Sequence, residues 1–133
     1  MTQLPFDRLM RELAAYLGTP LSVDRGIYRL IVPLPLGRQQ EVSASIRADD
    51  QGRDIIAFVS TVGPASRGVD PWRLLQANGE PLYCRVALLG SMVAVVASQL
   101  LRTAQPEEVL LILREAAEFA DRLERTLFLH DQF

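Results

Sequence analysis

The sequence has no lysine: all 14 of its basic residues are arginine. That removes a Schiff-base nucleophile and the lysine with which a phosphate-binding loop reaches its anion. Cysteine and histidine occur once each, as Cys84 and His130. A zinc or iron–sulfur centre draws several such ligands from one chain, so neither is expected. Positive charge is not in excess, since the net charge is −2 and the pI about 5.4. A nucleic-acid partner would call for a basic balance that displaces counterions from phosphates, so none is expected. The longest uncharged run, residues 86–101, is short for a membrane span and is broken by Gly90-Ser91. The opening Met-Thr-Gln-Leu-Pro-Phe-Asp-Arg has no apolar leader core. A cytoplasmic protein with no membrane partner is the expectation, and a single cysteine suits a reducing compartment.

What is present is an apolar inventory of 49% in 133 residues, which is enough for one core and one domain spanning residues 1–133. Phe6, Leu9, Met10, Leu13 and Leu17 recur at helical spacing and predict a helix over 6–17, stopped by Gly18. Three strands follow at 28–34, 41–48 and 54–62. The second alternates most cleanly, with Val42, Ala44, Ile46 and Ala48 against Glu41, Ser43, Ser45 and Arg47. A loop at 63–68 leads to Asp70-Pro71, an N-cap followed by a first-turn proline, and Asn78-Gly79 closes the short helix. Strands at 82–89 and 92–100 share the Gly90-Ser91 hairpin turn. Val109, Leu113, Ala116, Ala120, Leu123 and Leu127 predict a final helix over 106–128, with Glu118–Arg122 and Asp121–Arg125 as pairs on its wet side. The fold class is therefore α+β, in the order α-β-β-β-α-β-β-α, with a five-stranded, mainly antiparallel sheet packed by helices.

Residues capable of chemistry are few, and each has a plainer role. His130-Asp131 lies at the chain's end, where a base is hard to hold in place. Cys84 alternates with Leu82, Val86 and Leu88 and reads as a buried, inert thiol. Residues 63–68 resemble a phosphate loop only superficially, because the lysine is missing and Asp70 stands where the anion would bind. Asp49, Asp50 and Asp54 lack calcium-loop spacing and suit a turn. No catalytic residue, metal ligand or cofactor site is assigned, and the chain is not expected to be an enzyme.

Two features point to a protein partner instead. Trp72, the one tryptophan, sits in the first turn of a short helix, as a lid over the sheet or as an interface anchor. The last strand, Met92-Val93-Ala94-Val95-Val96-Ala97, is apolar on both faces. Either helices cover both faces, or one face meets a partner. Trp72, Met92, Val93 and Val95 are the interface candidates, and one two-fold patch would suit a homodimer.

The order helix, three strands, helix, two strands, helix resembles the fold of type III secretion chaperones (CesT-type) and of YbjN-like proteins. Leu74-Leu75-Gln76-Ala77-Asn78 is similar to the Leu-Leu-x-x-Asn stretch that closes the middle helix in both groups. Residues 117–124, Ala-Glu-Phe-Ala-Asp-Arg-Leu-Glu, resemble the alanine-rich end of the final helix, on the YbjN side. The resemblance implies a non-catalytic, commonly homodimeric protein that binds a partner segment through apolar sheet and helix surface. A dedicated effector chaperone is the first alternative. A small-anion or regulatory sensor using Arg29, Arg47 or Arg67 is the second.

Overall fold

A computed structural model of the protein describes residues 3–128, so His130 and Asp131 lie outside the described residues. The chain runs α1 (Gln3–Leu17), β1 (Leu21–Asp24), β2 (Ile27–Pro33), β3 (Gln39–Ala48), β4 (Asp54–Pro64), α2 (Pro71–Ala77), β5 (Arg85–Leu89), β6 (Met92–Leu100) and α3 (Pro106–Leu127). Every strand pair is antiparallel, in the order β1-β2-β3-β4-β6-β5.

The sheet has six strands where the sequence predicts five. The additional one is β1, four residues placed directly after the signal that stops α1. It forms a hairpin with β2 through Arg25-Gly26, whose φ values of 53° and 78° give the two-residue turn that matches strand twist. Glycine takes that conformation freely and arginine does not, which hides the turn from a reading based on glycine pairs. The other correction is the start of β5. Residues 82–84 are not in the ladder, because the Glu115 carboxylate accepts their N–H groups.

All three helices lie on one face of the sheet. Tyr28, Leu30 and Val32 of β2, Val42 and Ala44 of β3, and Ile56 and Phe58 of β4 point inward and are buried. Phe6, Met10 and Leu13 of α1 and Val109, Leu113 and Ala117 of α3 close over them as one apolar cluster. The Tyr28 ring meets Phe6 edge-on at 4.8 Å, and its hydroxyl donates to Asp7 Oδ1 at 2.7 Å. A second cluster gathers Val62, Val93, Val95, Phe119, Leu123 and Phe128 under the C-terminal half of α3. One helix therefore serves as a lid to both.

Of the two ion pairs predicted on the wet side of α3, Asp121–Arg125 forms and Glu118–Arg122 does not. Asp121 does bond Arg125, at 3.2 Å, but it is buried and the same Oδ2 receives Arg38 Nη2 at 2.8 Å. Arg38 comes from the β2–β3 connection, so this bond ties that turn to the helix. Arg122 turns away from Glu118, reaches Glu80 at 3.5 Å and lies over the Phe119 ring.

Candidate protein-interaction surfaces

Two apolar surfaces stand out once the helices have been placed. One is the margin where α2 meets β5. Asp70 caps α2 by accepting the Trp72 N–H at 3.0 Å, and Pro71 sets the first helical turn. No residue of α2 is fully buried, so the helix rests on the sheet without sinking into it. Between α2 and β5 runs a groove of about 430 Å³, lined by Leu74, Leu75, Val86, Leu88 and the edge of Val93. Around it Trp72 is 73% exposed, Leu75 62% and Leu88 64%. Leaving three large apolar side chains of one neighbourhood in water forgoes burial of roughly 1.5–3 kcal/mol each.

Asn78, at the end of α2, explains the Leu-Leu-x-x-Asn stretch physically. Its side-chain amide accepts the Val86 N–H at 2.6 Å and donates to the Val86 carbonyl at 3.2 Å. It thereby occupies both main-chain groups of Val86 on the edge of β5 that β6 does not use. An edge strand is a template for another strand, and here a side chain blocks part of it. Apolar side-chain contact is what this margin offers, more than strand addition.

The second surface is the face of the sheet opposite the helices. Ile55, Ala57 and Val59 of β4 and Val96 of β6 point to it, as the registers require. A shallow groove of about 560 Å³ crosses it, with Arg47, Tyr83 and Arg85 along its rim. Strand β6 is thus apolar on both sides for two reasons. Val93 and Val95 face the second cluster, whereas Met92, Ala94 and Val96 face the side that carries no helix among the described residues.

The four interface candidates separate accordingly. Trp72 is at the surface, on the first turn of α2, and Met92 is half-buried on the helix-free face. Val93 and Val95 are core residues, 2% and 0% exposed, and offer a partner almost nothing. Sequence pattern does not single out Leu75 and Leu88, because exposure at a helix–strand margin depends on how far α2 stops short of the sheet, nor Ala57 and Val59, which only the strand order sets on the helix-free face.

The chemistry of the remaining polar residues is structural. Cys84 is buried, and its thiol donates to Glu115 Oε1 at 3.3 Å. Burial and the adjoining carboxylate push that thiol up to about 12, which keeps it protonated and unreactive. Glu115 is pushed up by burial, but the N–H groups of Leu82, Tyr83 and Cys84 and the Cys84 thiol outweigh that and hold its carboxyl below the usual range. Asp49 accepts the Gln51 and Arg53 N–H groups and the Arg53 side chain, closing its turn. No group of three His, Cys, Asp or Glu side chains among the described residues is arranged to hold a metal ion. Arg29 is turned toward Glu41 at 3.9 Å, Arg47 stands at the groove rim, and Arg67 belongs to the turn after β4.

Glu115 carries a pH-dependent prediction. Its lowered folded pKa stabilises the fold fully above the unfolded value near 4.5, and that contribution disappears as pH falls through the folded value. Glu115→Gln is expected to cost about 1–3 kcal/mol at neutral pH. It should also make the melting temperature less sensitive to acid over the range in which the native carboxylate protonates. Parallel thermal melts of both proteins across that range test it, and equal acid slopes would refute it.

No protein-family model matches the chain, and no curated protein matches it in sequence. Solved structures do match in shape. A chain of the HopA1–SchA chaperone–effector complex is 15% identical, with 92% of this chain and 95% of that one covered at a TM-score of 0.67. A chain of the ExsC–ExsE complex is 16% identical, with 92% of each covered at a TM-score of 0.59. Among the described residues no helix is long and apolar enough to cross a membrane. Helices on one face, an antiparallel sheet and an intervening short helix give this chain the secretion chaperone-like fold of those structures.

Proposed function

We propose that this protein is a non-catalytic interaction module that binds a segment of another protein and acts as a cytoplasmic homodimer. The observation that carries the reading is the groove between α2 and β5, lined by the exposed Leu75 and Leu88, with Trp72 exposed on the first turn of the same helix. Tryptophan is the residue most often found as an energetic anchor of protein contacts, because one side chain buries a large rigid surface. The groove's apolar walls and the Asn78 block on the β5 edge suit pairing of two copies by side chains. Support also comes from the fold shared with chains of the HopA1–SchA and ExsC–ExsE complexes. The first of these, a chaperone–effector complex, favours the narrower reading of a dedicated effector chaperone.

Sedimentation equilibrium tests the dimer. The protein is expected to dimerise, and Trp72→Ala to weaken the dimer by about 2 kcal/mol, roughly thirtyfold in Kd. Because Trp72 is exposed, the circular dichroism of the variant should be unchanged. A strict monomer would overturn the homodimer. Capture of the tagged protein from its host, followed by limited proteolysis, tests the partner. One stoichiometric protein with a segment that becomes protease-resistant on binding supports the module. A partner with no protected segment counts against it.

A further inference from the structure

We infer that the helix-free face of the sheet is a docking site for an amphipathic helix that carries carboxylates at both ends of its apolar stripe. The inference rests on the interaction-module reading and supplies a partner chemistry for a surface distinct from the α2–β5 groove. The strand registers place Ile55, Ala57 and Val59 of β4 on this face, with Val96 of β6 across from Val59 and Ser98 across from Ala57, giving a largely apolar floor. Such a floor presents side chains only; the main-chain groups of the central strands are spent within the sheet. An occupant lying on it must satisfy its own backbone, and a helix does so where an extended segment does not.

Charge decides the rest. Arg47 and Arg85 stand at opposite corners of the groove, and neither has a carboxylate within salt-bridge distance among the described residues. Arg85 is moreover held in place, with Nη1 donating to the Pro81 and Cys84 carbonyls. The groove lining contains no aspartate or glutamate, although the whole chain is net acidic. Glu41 of β3 lies on the same face and is turned toward Arg29. A second copy of the same groove would bring arginines and no acids to meet them, so self-association here lacks charge complementarity. Four residues along β4 and three strand spacings across separate the two arginine positions, roughly 20 Å. A helix of about 13 residues spans that distance.

The test uses two synthetic helical peptides of that length with the same leucine–alanine stripe, one flanked by glutamates and one by lysines. Titration into the ¹⁵N-labelled protein is followed by amide shifts. The glutamate peptide is expected to bind and to move Ala57, Val59 and Val96, with the lysine peptide at least tenfold weaker. Arg47→Glu, an exposed change that leaves the floor intact, should shrink or reverse that preference. Equal binding of both peptides, binding of neither, or shifts confined to Leu75 and Leu88 would overturn the inference. So would shifts on this face that appear with rising protein concentration alone. A Trp72-dependent dimer that persists beside a silent sheet face would leave the proposed function standing while this assignment fell.

Discussion

Phe58→Ala is expected to be among the most damaging single truncations in the protein, at about 3–5 kcal/mol. Phe58 lies at the centre of β4 and is fully buried. Its neighbours across the ladder are Ala44 on β3 and Ala97 on β6. The ring fills the space that two alanines leave beneath α3, a large residue between two small ones. Neither alanine has side chain with which to close the void, so the cavity term adds to the transfer term almost in full. Urea denaturation should show a lower midpoint with an unchanged slope. A loss under about 1 kcal/mol would mean that α3 settles onto the sheet far more readily than this packing allows.

Gly63→Ala is the second large effect, and it comes from overfilling. The register between β4 and β6 shifts at Thr61/Gly63, and the space above Gly63 is taken by the ring of Phe128. A β-carbon there would stand 2.6 Å from Phe128 Cδ1 and Cε1. The ring must move, and it is itself buried in the second cluster. A cost of about 1–3 kcal/mol is expected. The coupling is the sharper readout. With Phe128→Ala in the background, the added methyl meets empty space, and the double variant should be less destabilised than the sum of the singles. Additive losses in that cycle would show that the glycine is needed for backbone reasons and not for the ring.

These residues also show what the sequence makes legible. The inner face of the sheet is written in plain alternation, as in Tyr28, Leu30 and Val32 or Val42 and Ala44, and the α3 stripe in helical spacing. Binary patterning reports burial directly, so both sides of the first cluster are legible in the sequence. Strand β1 escaped because four residues carry too little pattern, and its turn uses an arginine at positive φ. Residues 82–84 have the pattern of a strand because their alternation is genuine, with Cys84 buried. Their hydrogen bonds, however, go to a carboxylate 31 to 33 positions away. No local signal encodes such a partner.

The interaction surfaces were half legible. An apolar last strand announced a second apolar face, but not which residues pointed to it. Val93 and Val95 look identical to Val96 in sequence, and only the register with β4 sends them into the core. Trp72 could be singled out by type and position, since a capped short helix places its first turn at an edge. Arg47 and Arg85 come from strands that are not neighbours in the sheet, and only the strand order sets them around one floor.

Because α3 follows all six strands in the chain and closes both apolar clusters, the order of synthesis matters to this fold. A ribosome adding roughly 5–20 residues per second delivers the sheet strands first and their shared lid last. Until α3 arrives, Phe58, Val95 and their neighbours lack the helix that covers them. A nascent chain stopped before Pro106 is consequently no smaller version of the protein; it is a sheet whose inner face has only α1 and α2 to cover it. The cell sees a folded product only when the final helix docks, and the interval before docking is when this protein itself needs shielding from its neighbours.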